Sequence, residues 1–378
     1  MDLSKLKEID RITERRIGEV KLAGAAYAVA VDGKTVFENA LGCADVENRV
    51  PFRTDTVVRL ASMTKPVTCA AVLMMAERGA LSLSDPVSRF IPEFANPSVA
   101  ITDEKGRVTG IRPAKNEITV RDLLNHTSGL GSGPAGDAAW NAYRLREGAT
   151  LASSVPVFAF QPLDFEPRTE AAYSWTQAFD LAAYLVELLS GTDFESFVTE
   201  NLLYPLECFD TVFTPGAEQR SRMMKLYDAR DGKLIRIDTG KRIFGEIPST
   251  YHSGGAGMAG TLDDYMKFAA MLCREGETDG VRVLSAESVK LMSTPSLPFA
   301  VPEDCAETWG LAMRVTLRQT AAQPLFPGSY GWSGAYGTHF FVDPAHRVSA
   351  VYVTNLLDGG GAGAETAREF ERAIVSAL

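Results

Sequence analysis

The sequence predicts an α+β fold, an antiparallel sheet flanked by helices, and three observations predict it. Strand-like runs cluster toward both ends of the chain, the long stretch between them reads as helical or irregular, and an amphipathic helix closes each end. A single sheet built from both chain ends, with a mainly helical subdomain inserted, satisfies all three. The expected division is residues 1–78 and 250–378 for the α/β subdomain and 79–249 for the insertion, with the active site at their interface.

The elements follow in order. Leu3, Leu6, Ile9, Thr13 and Ile17 recur at helical spacing, so residues 3–20 form an amphipathic helix. Ala25–Val31 and Lys34–Ala40 are strand-like and flank Asp32-Gly33, a hairpin signal because glycine tolerates positive φ. Residues 62–78 are apolar and helical, and Phe179–Ser190 and Phe194–Leu203 are further helices. Thr261 can cap a helix over 262–273. Trp309–Leu317, His339–Val342 and Val348–Val353 are strands, and 365–378 closes the chain as an amphipathic helix.

Composition narrows the function classes. The net charge of −10 disfavours nucleic acid and anionic membranes as partners. The apolar stretch Val67–Ala76 is far shorter than the roughly 20 residues of a membrane span. No apolar leader segment follows Met1, so a cytoplasmic setting is expected. Five cysteines, an odd number without a CxxC pair, fit buried free thiols better than disulfides or zinc ligands.

Ser62-Met63-Thr64-Lys65 forms an S-x-x-K pattern at the start of an apolar helix. Residues three apart share a helix face, which sets the lysine amine beside the serine hydroxyl. A serine needs a base to become a nucleophile, and a desolvated lysine can supply one. Pro66 fits the first turn, where backbone N–H groups lack partners anyway. The Ser62 amide, near the helix start, suits an oxyanion donor.

Several stretches resemble the serine β-lactamases and penicillin-binding proteins, in particular the class C-like branch with the family VIII carboxylesterases. Thr56–Lys65 is similar to the family's nucleophile segment, and Leu81–Val87 to the segment after its helix. Leu123–Leu130, reading Leu-Leu-Asn-His-Thr-Ser-Gly-Leu, resembles another signature. Tyr173-Ser174 resembles the start of a Tyr-x-Asn motif, and Trp332-Ser333-Gly334 stands where the family has Lys-Thr-Gly or His-Thr-Gly. The resemblance implies a β-lactamase/transpeptidase-like fold and an acyl-enzyme mechanism without cofactor or metal. Ser62 would be the nucleophile, Lys65 its proton partner, and Tyr173 a second base and later acid. The amides of Ser62 and Ala335 would form the oxyanion hole, and Trp175, Trp332, Ser333 and Gly334 would meet the substrate.

Two departures shape the expected specificity. Trp175 replaces the asparagine of the second motif, and Trp332 the cation of the third. Indoles offer area and one N–H donor, so the pocket favours apolar esters over carboxylate-bearing lactams. The expected activity is a carboxylesterase acting on a small-molecule ester. The rivals are a β-lactamase or D-amino peptidase on the same fold, and a catalytically silent binding domain. Homo-oligomer formation is left open. Gly331-Trp332-Ser333-Gly334-Ala335 fails the G-x-S-x-G pattern at its last position. His126 reads as structural, and none of His126, His252, His339 and His346 is needed as a base.

Overall fold

Strands β1 (Gly24–Val31) and β2 (Lys34–Asp45) pair antiparallel across Asp32 and Gly33, whose φ values of 52° and 75° are those of a two-residue hairpin turn. The structure is a computed structural model and describes residues 1–136, 148–238, 250–357, 359–361 and 363–378. Residues 137–147 and 239–249 of the expected insertion therefore lie outside it. Before the hairpin comes α1 (Lys7–Gly18), and after it β3 (Val50–Pro51) and β4 (Val58–Arg59).

The central elements are α2 (Thr64–Glu77), hairpin β5–β6 (Ser98–Thr102, Val108–Pro113), α3 (Val120–Leu124), α4 (Leu151–Phe158), α5 (Gln177–Ser190), α6 (Phe194–Val198), α7 (Ala217–Ser221) and hairpin β7–β8 (Leu226–Arg230, Lys233–Ile237). The C-terminal part contributes β9 (Ala259–Gly260), α8 (Leu262–Cys273), β10–β11 (Glu277–Thr278, Val281–Arg282) and α9 (Ala286–Ser293). Strands β12 (Glu307–Trp309), β13 (Arg314–Thr316), β14 (Tyr330–Ser333), β15 (His339–Asp343) and β16 (Val348–Val353) then lead to α10 (Glu365–Val375).

Eight strands form the main sheet in the order β12-β13-β14-β15-β16-β1-β2-β3, so β16 from the C-terminal part hydrogen-bonds β1 from the N-terminal part. Side chains alternate across the sheet. Tyr27, Val29, Phe341 and Tyr352 pack under Leu6 and Ile9 near α1 and Phe370 and Ile374 of α10. Ala26, Ala28, Phe340 and Val351 face the larger core that includes α8 and α2. Helix α2 is largely apolar, is buried along nearly its whole circumference with Lys65 among its buried residues, and packs on α5. Among the described residues no helix is long and apolar enough to cross a membrane.

Two expectations about elements are corrected. The stretch 309–317 is not one strand: β12 and β13 pair across a turn, where Gly310 has no room for a Cβ and Ala312 adopts φ 58°. The region after α2 also holds hairpins β5–β6 and β7–β8. All five cysteines are free.

Candidate active site

The segment that carries Ser62 begins with strain. Ala61, immediately before Ser62, has φ 48°, a conformation that costs an L-residue about 1–2 kcal/mol. Residues Ala61–Met63 form a 3₁₀ turn that runs straight into α2. Three residues per turn eclipse positions i and i+3, which sets Lys65 beneath Ser62. Lys65 is fully buried, and its Nζ lies 3.2 Å from Ser62 Oγ. The same Nζ donates to the main-chain carbonyls of Trp175 at 2.6 Å and Gly255 at 2.9 Å. With those two N–H bonds made, the remaining tetrahedral position of the nitrogen faces Ser62.

Tyr173 completes the cluster, with its hydroxyl 2.7 Å from Ser62 Oγ. It lies on a loop, so neighbours must fix it. The amides of Ala172 and Ser174 donate to His126, to its carbonyl and its Nδ1 respectively, both at 3.1 Å. His126 is buried, and burial first and the Lys65 charge second hold its pKa well below the usual histidine value. A neutral ring accepting at Nδ1 carries its proton on Nε2. The expected structural reading of His126 thus gains a specific content: it anchors the Tyr173 loop.

An aromatic wall surrounds the hydroxyls. Trp309 stacks on Tyr173 with centroids 6.0 Å apart and planes within 7°, and Trp332 lies 5.5 Å from Tyr173 and 4.9 Å from Trp309. Trp332 is buried, and its Nε1 has no hydrogen-bond partner among the described residues. Trp175 differs. The residue is 63% exposed, its ring lies 5.9 Å from Tyr173, and its main chain rather than its side chain serves Lys65.

The third motif is divided between the two faces of its strand. Trp332 turns toward Tyr173, whereas the Ser333 hydroxyl bonds His339 Nδ1 at 2.8 Å. A Cβ on Gly334 would stand 2.3 Å from the carbonyl oxygen of Leu60, so glycine permits this turn to press against the segment that leads into Ser62. Ala335 follows, exposed. Among the described residues the backbone N–H groups of Ser62 and Ala335 have no acceptor.

Sequence reasoning missed Asp180, Gly255 and Trp309. The fully buried Asp180 carboxylate accepts from Ser253 Oγ at 2.6 Å, Tyr251 Oη at 2.9 Å and the Gly255 amide at 3.1 Å. It thereby fixes the turn whose carbonyl holds Lys65. Burial raises its pKa to about 6 against the lowering effect of those bonds and of Lys65. The run Gly254-Gly255 was the available signal: a Cβ at either position would meet main-chain atoms of α5 or Thr176 within 2.6 Å.

The sequence profile of the family described as Beta-lactamase matches residues 9–373. The chain belongs to the Beta-lactamase family. Protein Rv1367c of Mycobacterium tuberculosis is 32% identical over 349 residues, spanning 88% of this chain and 85% of that one. Esterase EstB of Burkholderia gladioli is 30% identical over 382 residues, spanning 94% and 91%. The solved structure of EstCE1, described as a hydrolase with promiscuous acyltransferase activity, superposes with a TM-score of 0.82 at 26% identity, covering 98% of this chain and 99% of that one. The fold is thus the β-lactamase/transpeptidase-like one.

Proposed function

We propose that this chain is a serine carboxylesterase that works through an acyl-enzyme on short or medium apolar esters. One observation carries the reading: Ser62 Oγ has Tyr173 Oη at 2.7 Å and Lys65 Nζ at 3.2 Å, beside a wall of tryptophans. The likeness to an esterase over nearly the whole length of both chains supports it.

The reaction follows from these positions. Ser62 Oγ attacks the ester carbonyl carbon while Lys65 takes the hydroxyl proton. The carbonyl oxygen becomes an oxyanion, stabilised by the Ser62 and Ala335 amides. Tyr173 gives its proton to the departing alkoxide and regains the one Lys65 carries. The C–O bond to the alcohol breaks and Ser62 holds the acyl group. Water, losing a proton to the same pair, then attacks that ester; the Ser62 C–O bond breaks, the pair returns that proton to Ser62 Oγ, and the acid leaves.

Apolar esters suit the walls. Trp332, Trp309 and Trp175 supply area, and the third motif presents no cation at position 332 to a carboxylate. The substrate contact of this motif is therefore the Trp332 ring and main chain around Gly334, rather than the Ser333 hydroxyl. Five free thiols accord with a reducing, cytoplasmic setting. The test is a panel of p-nitrophenyl esters from acetate to decanoate beside a chromogenic cephalosporin. Turnover concentrated on the short and medium esters is expected; a panel in which only the cephalosporin is hydrolysed overturns the assignment.

A further inference from the structure

Beneath the third motif, on the sheet face covered by α10, lies a group of buried titratable side chains that the mechanism leaves unused. Ser333 and His339 are cross-strand partners on β14 and β15. The Ser333 hydroxyl meets His339 Nδ1 at 2.8 Å, and His339 Nε2 lies 3.2 Å from Glu371 Oε1 of α10, close but not aligned as a full hydrogen bond. All three residues are at least 97% buried. Glu371 is held in turn by Arg314 and Arg368, each at 2.8 Å, and both guanidiniums also reach Glu307, at 2.9 and 2.7 Å. Two arginines and two glutamates so balance each other around one carboxylate.

The chemistry of this arrangement fixes where the protons sit. Glu371, gripped by two guanidiniums, is an acceptor only. The His339 proton therefore belongs on Nε2, and Nδ1 accepts from Ser333. Ser, His and Glu in this order look like a hydrolytic triad, but they are sealed away from the cleft on the opposite side of the strand from Trp332. Their leverage is positional. Ser333 and His339 close the turn 334–338 that carries Ala335. The other side of that turn is pinned to the nucleophile segment, because Thr338 Oγ1 donates to the Leu60 carbonyl at 3.1 Å.

We propose that Ser333, His339 and Glu371 are positioning residues whose relay locks the β14–β15 turn and so aims the Ala335 amide at the oxyanion formed on Ser62. The proposal rests on the acyl-enzyme reading above. It separates Ser333 from substrate binding: its proton is committed to His339, and its loss weakens transition-state stabilisation rather than ground-state binding.

The experiment compares Ser333→Ala, His339→Leu, the double variant and His339→Asn, with kcat and KM for p-nitrophenyl butyrate and thermal unfolding of each protein. Both single variants are expected to lower kcat about tenfold with KM within about twofold, the signature of a misplaced catalytic group. The double variant loses no more than the worse single one, since both remove the same bond. In His339→Asn the amide oxygen can take the place of Nδ1 as acceptor, and kcat returns to within about threefold of wild type. Wild-type kcat in the single variants, or a raised KM at unchanged kcat in Ser333→Ala, overturns the relay; the second result makes Ser333 a substrate contact. Should His339→Leu fail to fold, Ser333→Ala decides alone, because it removes one oxygen atom. A phosphonate ester added to the same proteins tells the two failures apart. Wild type that is not labelled on Ser62 refutes the acyl-enzyme reading, whereas wild type and single variants labelled on Ser62 at equal rates refute only the relay.

Discussion

Replacing Tyr173 by phenylalanine removes one oxygen atom and leaves its surroundings in place. The ring remains stacked on Trp309 at 6.0 Å and flanked by His126 at 4.9 Å and Trp332 at 5.5 Å. What disappears is the hydrogen bond of 2.7 Å to Ser62 Oγ. A single bond of this kind is worth about 0.5–1.5 kcal/mol to the fold, so stability should hardly change. Proton transfer is another matter: a positioned acid or base contributes on the order of 10²–10⁴ to the rate, or about 3–5 kcal/mol of barrier. Lys65→Ala should behave differently. It removes the same chemistry but also strips the carbonyls of Trp175 and Gly255 of their donor. At about 1–3 kcal/mol for each buried orphan, that variant loses roughly 2–6 kcal/mol of stability as well. The assay is initial-rate hydrolysis of p-nitrophenyl butyrate together with urea denaturation of both variants. A Tyr173→Phe protein within threefold of the wild-type rate would remove the phenol from proton transfer and refute the mechanism as drawn.

Three further outcomes are expected. Hydrolysis of p-nitrophenyl butyrate should exceed that of a chromogenic cephalosporin by about 10² or more in kcat/KM, since a buried carboxylate without a partner costs several kcal/mol; cephalosporin turnover at or above the ester rate defeats this. Asp180, whose pKa rises from 3.8 to about 6 in the fold, favours the folded state fully below pH 3.8 and loses that contribution as pH rises through 6. Relative to Asp180→Asn, wild type should therefore be more stable at pH 4 than at pH 7 by on the order of 3 kcal/mol, and parallel stability curves for the two proteins would contradict the buried carboxylate's cost. Chelators should leave the ester activity unchanged, because every proton and charge in the scheme is carried by Ser62, Lys65, Tyr173 and two amides; inhibition by EDTA that zinc reverses would contradict the scheme.

The parts of the site that sequence could reveal are those whose chemistry repeats at short spacing. Ser62 and Lys65 declare themselves three residues apart, and several strands of the sheet are marked by runs of mostly apolar residues, as in Val348–Val353, which is buried throughout. Tyr173 was legible only through the resemblance, since a lone tyrosine on a loop carries no periodic signal. Long-range main-chain partners leave little mark: the carbonyls of Trp175 and Gly255 reach Lys65 across 110 and 190 residues, and the Gly254-Gly255 run signals only a close turn, not what its carbonyl holds. Asp180 sits within an apolar helix and is explained only by the turn folded over it. Hairpin β5–β6 was missed because β6 is largely exposed and has no buried face to impose alternation. Hairpin β7–β8 was missed although Asp231-Gly232 repeats the Asp32-Gly33 signal between its strands.

The central claim is that Ser62 carries the acyl group. Intact-protein mass spectrometry after incubation with a p-nitrophenyl phosphonate tests it most directly. One adduct per chain on the wild type, mapped to the peptide containing Ser62 and absent from Ser62→Ala, is the result expected. An adduct that persists in Ser62→Ala would place the nucleophile elsewhere and contradict the account.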